Sequence, residues 1–462
     1  MKSWIALLFL CLTPNLFAQS YPYSGPIGPI TSGYGAPGPY TASITHFTLA
    51  PDSLRECQDT IRAILFRPQG LSGELPTIFH FPGSGIEDMT DESFENIMLV
   101  HGNYAASLGY NLVTMQYSSA SYNDCGCAYQ LSNEVLDLFP GQIDTTRIGI
   151  KGSSWGAGIA NWLSLKRYIN SGWGSNGRFT WCDAGSSFVG WIYDWPNDIY
   201  TQTDSGLAAM PDDVLYLHTY SEMDNVCDPR TMIDLYTHIG VPDSNKAFCL
   251  YRADTVNSHI YWATHFSIGT YSEDSAQFVA YITKNDGLDQ WGYLRPLHAL
   301  CAAAWNGDAM AKSIAVGDGD SLQTTWAQGQ LKGPLVSDTP DHTTFYSWNT
   351  GQGYMSDCHV TWNMRQYVNP NACLDLSEPE WDALPKFEAA VYPNPLRVGD
   401  ALNADLPAPL AEGRIVNTEG RVVAIFKRLD AVHLPAPGTY YVLFRLESGA
   451  LYTAKISVLG RP

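Results

Sequence analysis

The sequence has few basic residues and no long apolar run. Its 462 residues include 26 Lys and Arg but 46 Asp and Glu, which gives a formal net charge of -20. A negative field of this size repels the phosphates of nucleic acids, so nucleic acid is not an expected partner. No stretch approaches the roughly 20 consecutive apolar residues that a membrane helix requires. We therefore expect no transmembrane segment in the mature chain.

Patterns that bind metal ions are also lacking. Cys125 and Cys127 do not have the two-residue spacing of a zinc or redox pair, and no histidine-rich segment lies beside them. The segment Asp318-Gly319-Asp320 lacks the remaining oxygen ligands of a calcium loop. The sequence predicts no metal site and no cofactor.

Residues 1–18 are typical of a secretory signal peptide. Lys2 precedes a short apolar run over residues 4–12, and a small residue follows at the expected cleavage site. Export would place the nine remaining cysteines in an oxidising environment, where disulfides form. Because nine is odd, they cannot all pair within the chain. We expect one bridge between Cys358 and Cys373.

Residues 19–310 alternate between strand-like and helical patterns. This alternation predicts an α/β fold with a mainly parallel sheet flanked by helices. Ligands bind such sheets at the carboxyl ends of the strands. Residues 19–50 are expected to be an extended lead-in, and residues 311–388 an extension or linker. Strands are predicted at 61–66, 77–81, 110–116, 147–151, 214–218 and 247–252, and helices at 100–108, 130–139, 157–168 and 230–239.

The sharpest motif is Gly152-Ser153-Ser154-Trp155-Gly156, which lies between a predicted buried strand and a predicted helix. Glycines on both sides allow a tight turn that raises the hydroxyl of Ser154 above the sheet. We therefore predict Ser154 as a nucleophile. The alternative is a glycine-rich turn with a structural role only.

A serine hydroxyl needs a base and an orienting carboxylate to become nucleophilic. Asp224 and His259 each follow a predicted strand further along the chain, where the sheet would bring both to its carboxyl edge. The order Ser154, Asp224, His259 is the order that a hydrolase triad has on such a sheet. We predict that Asp224 orients the imidazole and that His259 transfers the proton.

Neighbouring residues compete for two of these roles. Glu222 and Asp228 flank Asp224 and are alternatives for the acid. His265 is the alternative to His259 for the base. Loop position favours Asp224 among the carboxylates.

An anionic tetrahedral intermediate also needs hydrogen-bond donors. One is expected from the backbone N–H of Trp155, directly after the nucleophile. The second is expected from Ser84, in the loop after the strand 77–81, with Gly83 as the alternate. The alternative for this loop is an ordinary turn rich in Gly and Pro.

These four loops together resemble the α/β-hydrolase family over roughly residues 55–300. The Phe81-Pro82-Gly83 turn and the placement of Asn257-Ser258-His259 look like the branch that contains dienelactone hydrolases, cutinases and polyester hydrolases. The resemblance implies a serine esterase that forms an acyl-enzyme on carboxylic esters, with polymeric and lipid esters among the candidates. The chain departs from that branch at Trp155, where Met is usual, and at Ser84, where polyester hydrolases tend to have an aromatic residue.

Two other functions remain open. A peptidase or an acyltransferase of the same fold would use the same triad, because the triad does not distinguish an ester from an amide. A non-catalytic protein would keep the scaffold and bind a glycan or polymer surface through tryptophans. Trp173, Trp181, Trp191 and Trp195 lie between the nucleophile helix and the acid strand and would be the binding residues. Burial in the core is the alternative for them.

Residues 389–462 predict a separate, small β-sandwich. Short β-rich runs alternate with turns at 417–420 and 435–438. The start at Tyr392-Pro393-Asn394-Pro395, the following hairpin and the terminal Lys455-Ile456-Ser457-Val458 resemble the C-terminal sorting domain of the type IX secretion system. The resemblance implies recognition by the type IX secretion machinery, and a protein that is secreted or held at the outer cell surface.

Overall fold

The computed structural model divides the chain into two units, Met1–Cys373 and Leu374–Pro462. None of the helices described is both long and apolar enough to cross a membrane. The residues that the structure describes are 23–50, 60–83, 90–116, 124–183, 203–224, 226–265, 285–337, 339–340, 386–388, 390–392, 396–397, 402–406, 409–417, 422–429, 437–446 and 451–459. The expected signal peptide and the expected Cys358–Cys373 bridge lie outside these ranges.

Nine strands of the first unit form one mixed sheet. They are β1 (Ala42–Leu49), β2 (Ile61–Pro68), β3 (Leu75–Phe81), β4 (Asn111–Gln116), β5 (Ile143–Ser153), β6 (Arg178–Asp183), β7 (Leu215–Ser221), β8 (Lys246–Tyr251) and β11 (Leu335–Ser337). Their order in the sheet is β1-β2-β4-β3-β5-β6-β7-β8-β11. All pairings from β4 to β8 are parallel, and antiparallel pairings add β1, β2 and β11 at the edges. The prediction of a mainly parallel sheet is confirmed.

A short hairpin follows β8 and does not join this sheet. It consists of β9 (Asp254–Val256) and β10 (His259–Tyr261), which pair with each other. The two residues between them, Asn257 and Ser258, have φ angles of 48° and 67°. Left-handed backbone at both turn positions is the geometry that closes a two-residue hairpin.

Helices pack against the sheet through the sides that the sequence made apolar. Helix α1 contacts β2 and β4, α3 contacts β3, β5 and β6, α7 contacts β5 and β6, and α8 contacts β7 and β8. The helices are α1 (Asp91–Ser107), α2 (Asp124–Leu138), α3 (Trp155–Asn170), α4 (Asp204–Leu207), α5 (Pro229–His238), α6 (Gly287–Asp289), α7 (Arg295–Asn306), α8 (Ala309–Val316) and α9 (Ser321–Thr324), and a π-helical turn, Gln290–Leu294, joins α6 to α7. The helices flanking the sheet are thus as predicted.

Aromatic side chains fill much of the core between the sheet and these helices. Phe79 on β3, Trp162 on α3 and Trp181 on β6 are fully buried. Trp173 is also buried, and it packs on Phe79 with ring centroids 5.4 Å apart. Trp173 and Trp181 are therefore core residues rather than an exposed binding surface, whereas Trp191 and Trp195 lie outside the described residues.

Residues beyond 310 continue the first unit. Helix α8 spans the expected boundary at residue 310, and its residues Ala311, Ile314, Ala315 and Val316 are buried in the main core. Trp326 and Leu331 join the same core, and β11 adds the last strand of the sheet beside β8. The structure therefore places residues 309–337 with the sheet, not in the separate extension expected for 311–388.

The second unit is built from β strands, as predicted, while its arrangement as a sandwich stays a prediction. A six-stranded sheet contains the path β12-β19-β18-β16-β17, with β14 beside β19, and β13 pairs with β15. Its core contains Ile415, Val442, Phe444 and Ile456. The strands are β12 (Lys386–Glu388), β13 (Ala390–Tyr392), β14 (Leu396–Arg397), β15 (Asn403–Asp405), β16 (Leu410–Asn417), β17 (Val422–Phe426), β18 (Gly438–Leu446) and β19 (Leu451–Leu459).

Candidate active site

Ser154 lies at a strained turn between β5 and α3. Its backbone has φ 54° and ψ -121°, a combination that residues other than glycine rarely adopt. The N–H of Ser154 donates to the carbonyl oxygen of Asp183 at 2.8 Å, and its carbonyl accepts from the N–H of Ala157 at 3.0 Å. These two bonds hold the turn in the strained conformation that exposes the hydroxyl above the sheet.

The two glycines of the motif are required by close backbone contacts. A Cβ at Gly152 would lie 1.9 Å from the carbonyl oxygen of Gly156. A Cβ at Gly156 would lie 2.1 Å from the carbonyl oxygen of Phe81. Both distances are far below van der Waals contact, so no other residue fits without backbone movement. Glycine is therefore required at both positions, as the Gly-x-Ser-x-Gly motif predicted for a tight turn.

A continuous hydrogen-bond chain joins Ser154 to His265 and Asp224. The Nε2 atom of His265 lies 2.8 Å from Ser154 Oγ, and its Nδ1 atom lies 2.8 Å from Asp224 Oδ2. The side chains of His265 and Asp224 are 4% and 0% exposed. With a neutral imidazole, Nδ1–H donates to the carboxylate and Nε2 accepts the serine proton.

The loop after β7 fixes the Asp224 carboxylate. Its Oδ1 atom accepts from the N–H groups of Val226 at 2.8 Å and Cys227 at 3.1 Å, which leaves Oδ2 for the imidazole. The competing acids have other partners: Glu222 accepts from the N–H of Ala253, and Asp228 forms a buried ion pair with a neighbouring arginine. The structure thus brings Asp224 to the site, as expected.

The structure places His265, not His259, against the serine. His259 opens β10, where its Nε2 atom lies 3.3 Å from Asp286 Oδ2 and its ring packs edge-on against Tyr261. The β9–β10 hairpin occupies the chain that directly follows β8, and after it the carbonyl of Ala263 accepts from the N–H of Met223, in the loop that contains Asp224. The choice of His259 as the base is therefore corrected to His265, because the hairpin shifts the site histidine six residues along the chain.

The environment of His265 favours its cation. Burial disfavours a charged imidazole, but the Asp224 carboxylate and the adjacent Cys227 outweigh this effect and raise the pKa of His265 well above its ordinary value. Desolvation by burial raises the pKa of the Cys227 thiol, and the neighbouring His265 acts in the opposite direction. Cys227 was not anticipated from the sequence, because a lone cysteine three residues after Asp224 carries no recognised motif.

The expected oxyanion donors are only partly within the described residues. Trp155 begins α3 and is buried beside the nucleophile, where the helix N-terminus directs N–H groups and positive dipole charge toward an anion. Gly83 lies against the site, since a Cβ there would be 3.1 Å from Ser154 Cβ. Ser84 lies outside the described residues. Both donor assignments stay predictions.

The described parts of the chain contain no group of three or more His, Cys, Asp or Glu side chains arranged to hold a metal ion. What the described residues do contain is the set needed for acyl transfer. The set comprises a hydroxyl nucleophile, a base in hydrogen-bond contact with it and a buried carboxylate that orients the base.

No protein-family model matches the chain, and no curated protein matches it. Among solved structures, it is similar to brefeldin A esterase, described as a bacterial homologue of human hormone-sensitive lipase, with 16% identity over 46% of this chain and 68% of that one, at a TM-score of 0.33. A bacterial heroin esterase matches with 15% identity over 40% of this chain and 67% of that one, at a TM-score of 0.30. A Pyrococcus horikoshii acylaminoacyl peptidase matches with 17% identity over 49% of this chain but only 38% of its own length, at a TM-score of 0.32.

Proposed function

We propose that the first unit is an α/β-hydrolase that cleaves carboxylic esters through an acyl-enzyme on Ser154. The hydrogen-bond chain Ser154–His265–Asp224 carries this proposal. The sheet supports it, because the serine follows β5, the acid follows β7 and the histidine follows β8 on the chain. This is the chain order of nucleophile, acid and base that the fold uses.

The geometry supports a two-step reaction. Ser154 Oγ attacks the ester carbonyl carbon while its proton passes to Nε2 of His265, and His265 then gives that proton to the departing alcohol. A water molecule deprotonated by His265 attacks the acyl-enzyme, and the acid is released with Ser154 restored. Asp224 remains ionised throughout and stabilises the imidazolium that forms in both steps.

The N–H of Trp155 is the proposed first donor to the oxyanion, with a backbone N–H of Gly83 or Ser84 as the second. Support comes from the start of α3 directly after the nucleophile and from the contact between Gly83 and Ser154. Donors fixed before the reaction are worth about 100 to 1000-fold in kcat each. The finer assignment to the branch of dienelactone hydrolases, cutinases and polyester hydrolases rests on the sequence resemblance.

A panel of p-nitrophenyl esters of graded acyl length tests the hydrolase proposal. We expect the parent protein to turn over at least one ester and Ser154→Ala to lose about 10⁴-fold or more in kcat. Ser171→Ala, at an exposed position beyond the end of α3, is the matched control and should equal the parent. Equal turnover by parent and Ser154→Ala would contradict the proposal, and cleavage of anilides without cleavage of esters would favour a peptidase.

We also propose that the second unit is a type IX sorting domain and that the protein is secreted or held at the outer cell surface. The order of sequence elements from Tyr392 to Val458 supports this, and the strands of the unit are compatible with it. Expression in a bacterium that has this secretion system, with and without residues 389–462, tests the assignment. Retention of the shortened chain inside the cell is expected, and equal export of both forms would contradict it.

A further inference from the structure

A row of polar side chains lies directly beneath the triad. Ser153 and Asp183 end the neighbouring parallel strands β5 and β6, Thr219 lies near the end of β7, and the three residues are in register with one another. Asp183 and Thr219 are buried, with 4% and 2% of their surface exposed. Burying a polar group costs free energy unless the group is hydrogen-bonded, so these side chains need partners inside the protein.

The Asp183 carboxylate is the centre of the row. Its Oδ1 atom accepts from Thr219 Oγ1 at 2.6 Å, and its Oδ2 atom accepts from Ser153 Oγ at 3.4 Å. Trp181 Nε1 donates to Thr219 Oγ1 at 2.9 Å, which fixes the hydroxyl that points at the carboxylate. The backbone carbonyl of the same Asp183 accepts the N–H of Ser154. One residue therefore contacts the nucleophile turn through both its backbone and its side chain.

A buried cation balances this carboxylate. Lys151 on β5 is 1% exposed, donates to Ser153 Oγ at 2.8 Å and has its Nζ atom 4.0 Å from Asp183 Oδ2. The ammonium also lies over the rings of Trp181 and Tyr293, at 4.8 and 4.6 Å from their centroids. Burial lowers the pKa of Lys151 to about 8, so its ammonium still holds its proton at neutral pH.

We propose that Asp183 is a second carboxylate of the site, a positioning residue that holds the nucleophile turn and adds negative charge beneath the His265 imidazolium. Lys151 keeps this carboxylate ionised. A buried ion pair is often no more stabilising than apolar residues of similar size, so stability alone does not account for its place under the nucleophile. The kinetic part of this inference rests on the proposed hydrolase function, whereas its electrostatic part does not.

Several charged and polar groups surround the His265 imidazole and the Asp183 carboxylate, and a test must separate their effects from the effect of Asp183 on His265. His265 contacts Ser154 and Asp224 and lies beside Cys227. The Asp183 carboxylate contacts Ser153 and Thr219 and lies 4.0 Å from Lys151 Nζ. The backbone of Asp183 binds Ser154, whose hydroxyl lies 2.8 Å from Nε2 of the imidazole. Burial raises the pKa of Asp183, while Lys151, Thr219 and His265 each favour its ionised form. The mutual effect of Asp183 and His265 is the quantity to measure.

The direct test is the pKa of the His265 imidazole, followed by NMR in the full-length protein labelled at histidine nitrogen. The signal is assigned by its loss in His265→Ala. We expect Asp183→Asn to lower this pKa by about one unit, because a carboxylate near the imidazolium is removed. We also expect kcat on the best p-nitrophenyl ester to fall about tenfold with KM unchanged, as for a residue that acts in the transition state.

Three further variants keep the result interpretable. Asp144→Asn removes a carboxylate at the opposite end of β5 and should leave the pKa of His265 and kcat as in the parent. Thr219→Val keeps the charge of Asp183 but removes a hydrogen bond, so the pKa of His265 should stay within a few tenths of the parent value. The double variant Asp183→Asn/Lys151→Met leaves no unpaired charge in the interior. It should still lower the pKa of His265, but by less than Asp183→Asn because a cation is removed as well, and it provides the measurement if Asp183→Asn alone folds poorly.

An unchanged pKa of His265 in both Asp183→Asn and the double variant would overturn the inference. So would an equal fall in Asp144→Asn, because the effect would then not be specific to Asp183. If the parent hydrolyses no ester, the proposed function fails, while the NMR titration still decides whether Asp183 acts on His265.

Discussion

At the scale of single residues, backbone strain and hydrogen bonding act on the same serine. The positive φ of Ser154 costs of order 1 to 3 kcal/mol, and two backbone hydrogen bonds hold the residue there. The hydroxyl that results from this conformation lies 2.8 Å from a buried imidazole. The strain therefore positions a nucleophile that is already in contact with its base.

The raised pKa of His265 predicts the pH dependence of the reaction. The base must be neutral, so kcat/KM should rise with pH and reach half its maximum well above pH 6.5, near the pKa of His265 in the free enzyme. Asp224→Asn removes the carboxylate that stabilises the imidazolium. We expect it to shift the inflection to lower pH and to lower kcat by about 10⁴-fold.

A pH–rate profile of parent and Asp224→Asn, on one p-nitrophenyl ester at constant ionic strength, measures both effects. An inflection that moves to higher pH in the variant, or does not move, would show that Asp224 does not support the imidazolium.

The sequence was sufficient for two of the three triad positions. Ser154 was predictable because glycine sterics and a strand–turn–helix pattern mark its turn, and Asp224 because it follows a regular buried strand. His259 is the first histidine after the predicted strand 247–252, and the three-residue strands β9 and β10 are too short to show the alternation that would reveal a hairpin there. The turn residues Asn257-Ser258, with Val256 before them and Ile260-Tyr261 shortly after, are the signal for the hairpin.

At the scale of elements, close backbone packing joins β3, β5 and α3 around the nucleophile. The missing side chain of Gly156 allows α3 to begin against the carbonyl of Phe81 at the end of β3. This contact sets the position of the helix N-terminus relative to the loop that is proposed to share oxyanion binding.

Gly156→Ala tests this packing. A Cβ placed 2.1 Å from a backbone oxygen forces the helix to shift, so we expect the free energy of unfolding to fall by about 1 to 3 kcal/mol and ester turnover to fall at least tenfold. Urea denaturation and kinetics measure the two effects. Gly28→Ala is the control, since a Cβ there meets nothing within 4 Å. Parent-like turnover in Gly156→Ala would show that this contact does not position the site.

The strands that the sequence did not predict, β6 and β1, were missed because their own residues lack the pattern of a buried strand. Strand β6 contains Thr180 and Asp183, polar residues that are buried only because tertiary partners satisfy them, so its pattern does not look like a core strand. Strand β1 lies within residues 19–50, where many Gly, Pro, Tyr and Ser residues predict a lead-in, and at the edge of the sheet it buries only Leu49 fully. Regular buried strands and long amphipathic helices were predictable, and elements defined by long-range contacts were not.

At the scale of the whole molecule, each unit has its own hydrophobic core. One core spans residues from Ile27 to Leu331, and the other lies among the strands of the second unit, from Leu402 to Val458. A core that is complete within one unit is the usual condition for independent folding.

Two truncated chains test where the first unit ends. A variant that ends at residue 373 keeps the whole first core and should retain cooperative unfolding and the ester turnover of the parent. A variant that ends at residue 310 loses buried residues such as Ile314, Trp326 and Leu331. Burial of each of these side chains stabilises the fold by about 1.5 to 3 kcal/mol, and the net free energy of unfolding of a typical protein is only about 5 to 15 kcal/mol. This variant should therefore not fold.

Circular dichroism and thermal unfolding distinguish the two truncations. A folded, active variant that ends at residue 310 would show that residues 309–337 are dispensable for the sheet. An inactive variant that ends at residue 373 would show that the second unit contributes to the activity.

The central claim is that Ser154 is a nucleophile activated by His265. Labelling with an alkyl fluorophosphonate, followed by mass spectrometry of the modified peptide, tests it most directly. The account predicts one adduct on Ser154, formed at a similar rate in the parent and in His259→Ala and at least about 1000-fold more slowly in His265→Ala. It would be contradicted by the absence of an adduct on Ser154, or by slow labelling in His259→Ala with parent-like labelling in His265→Ala.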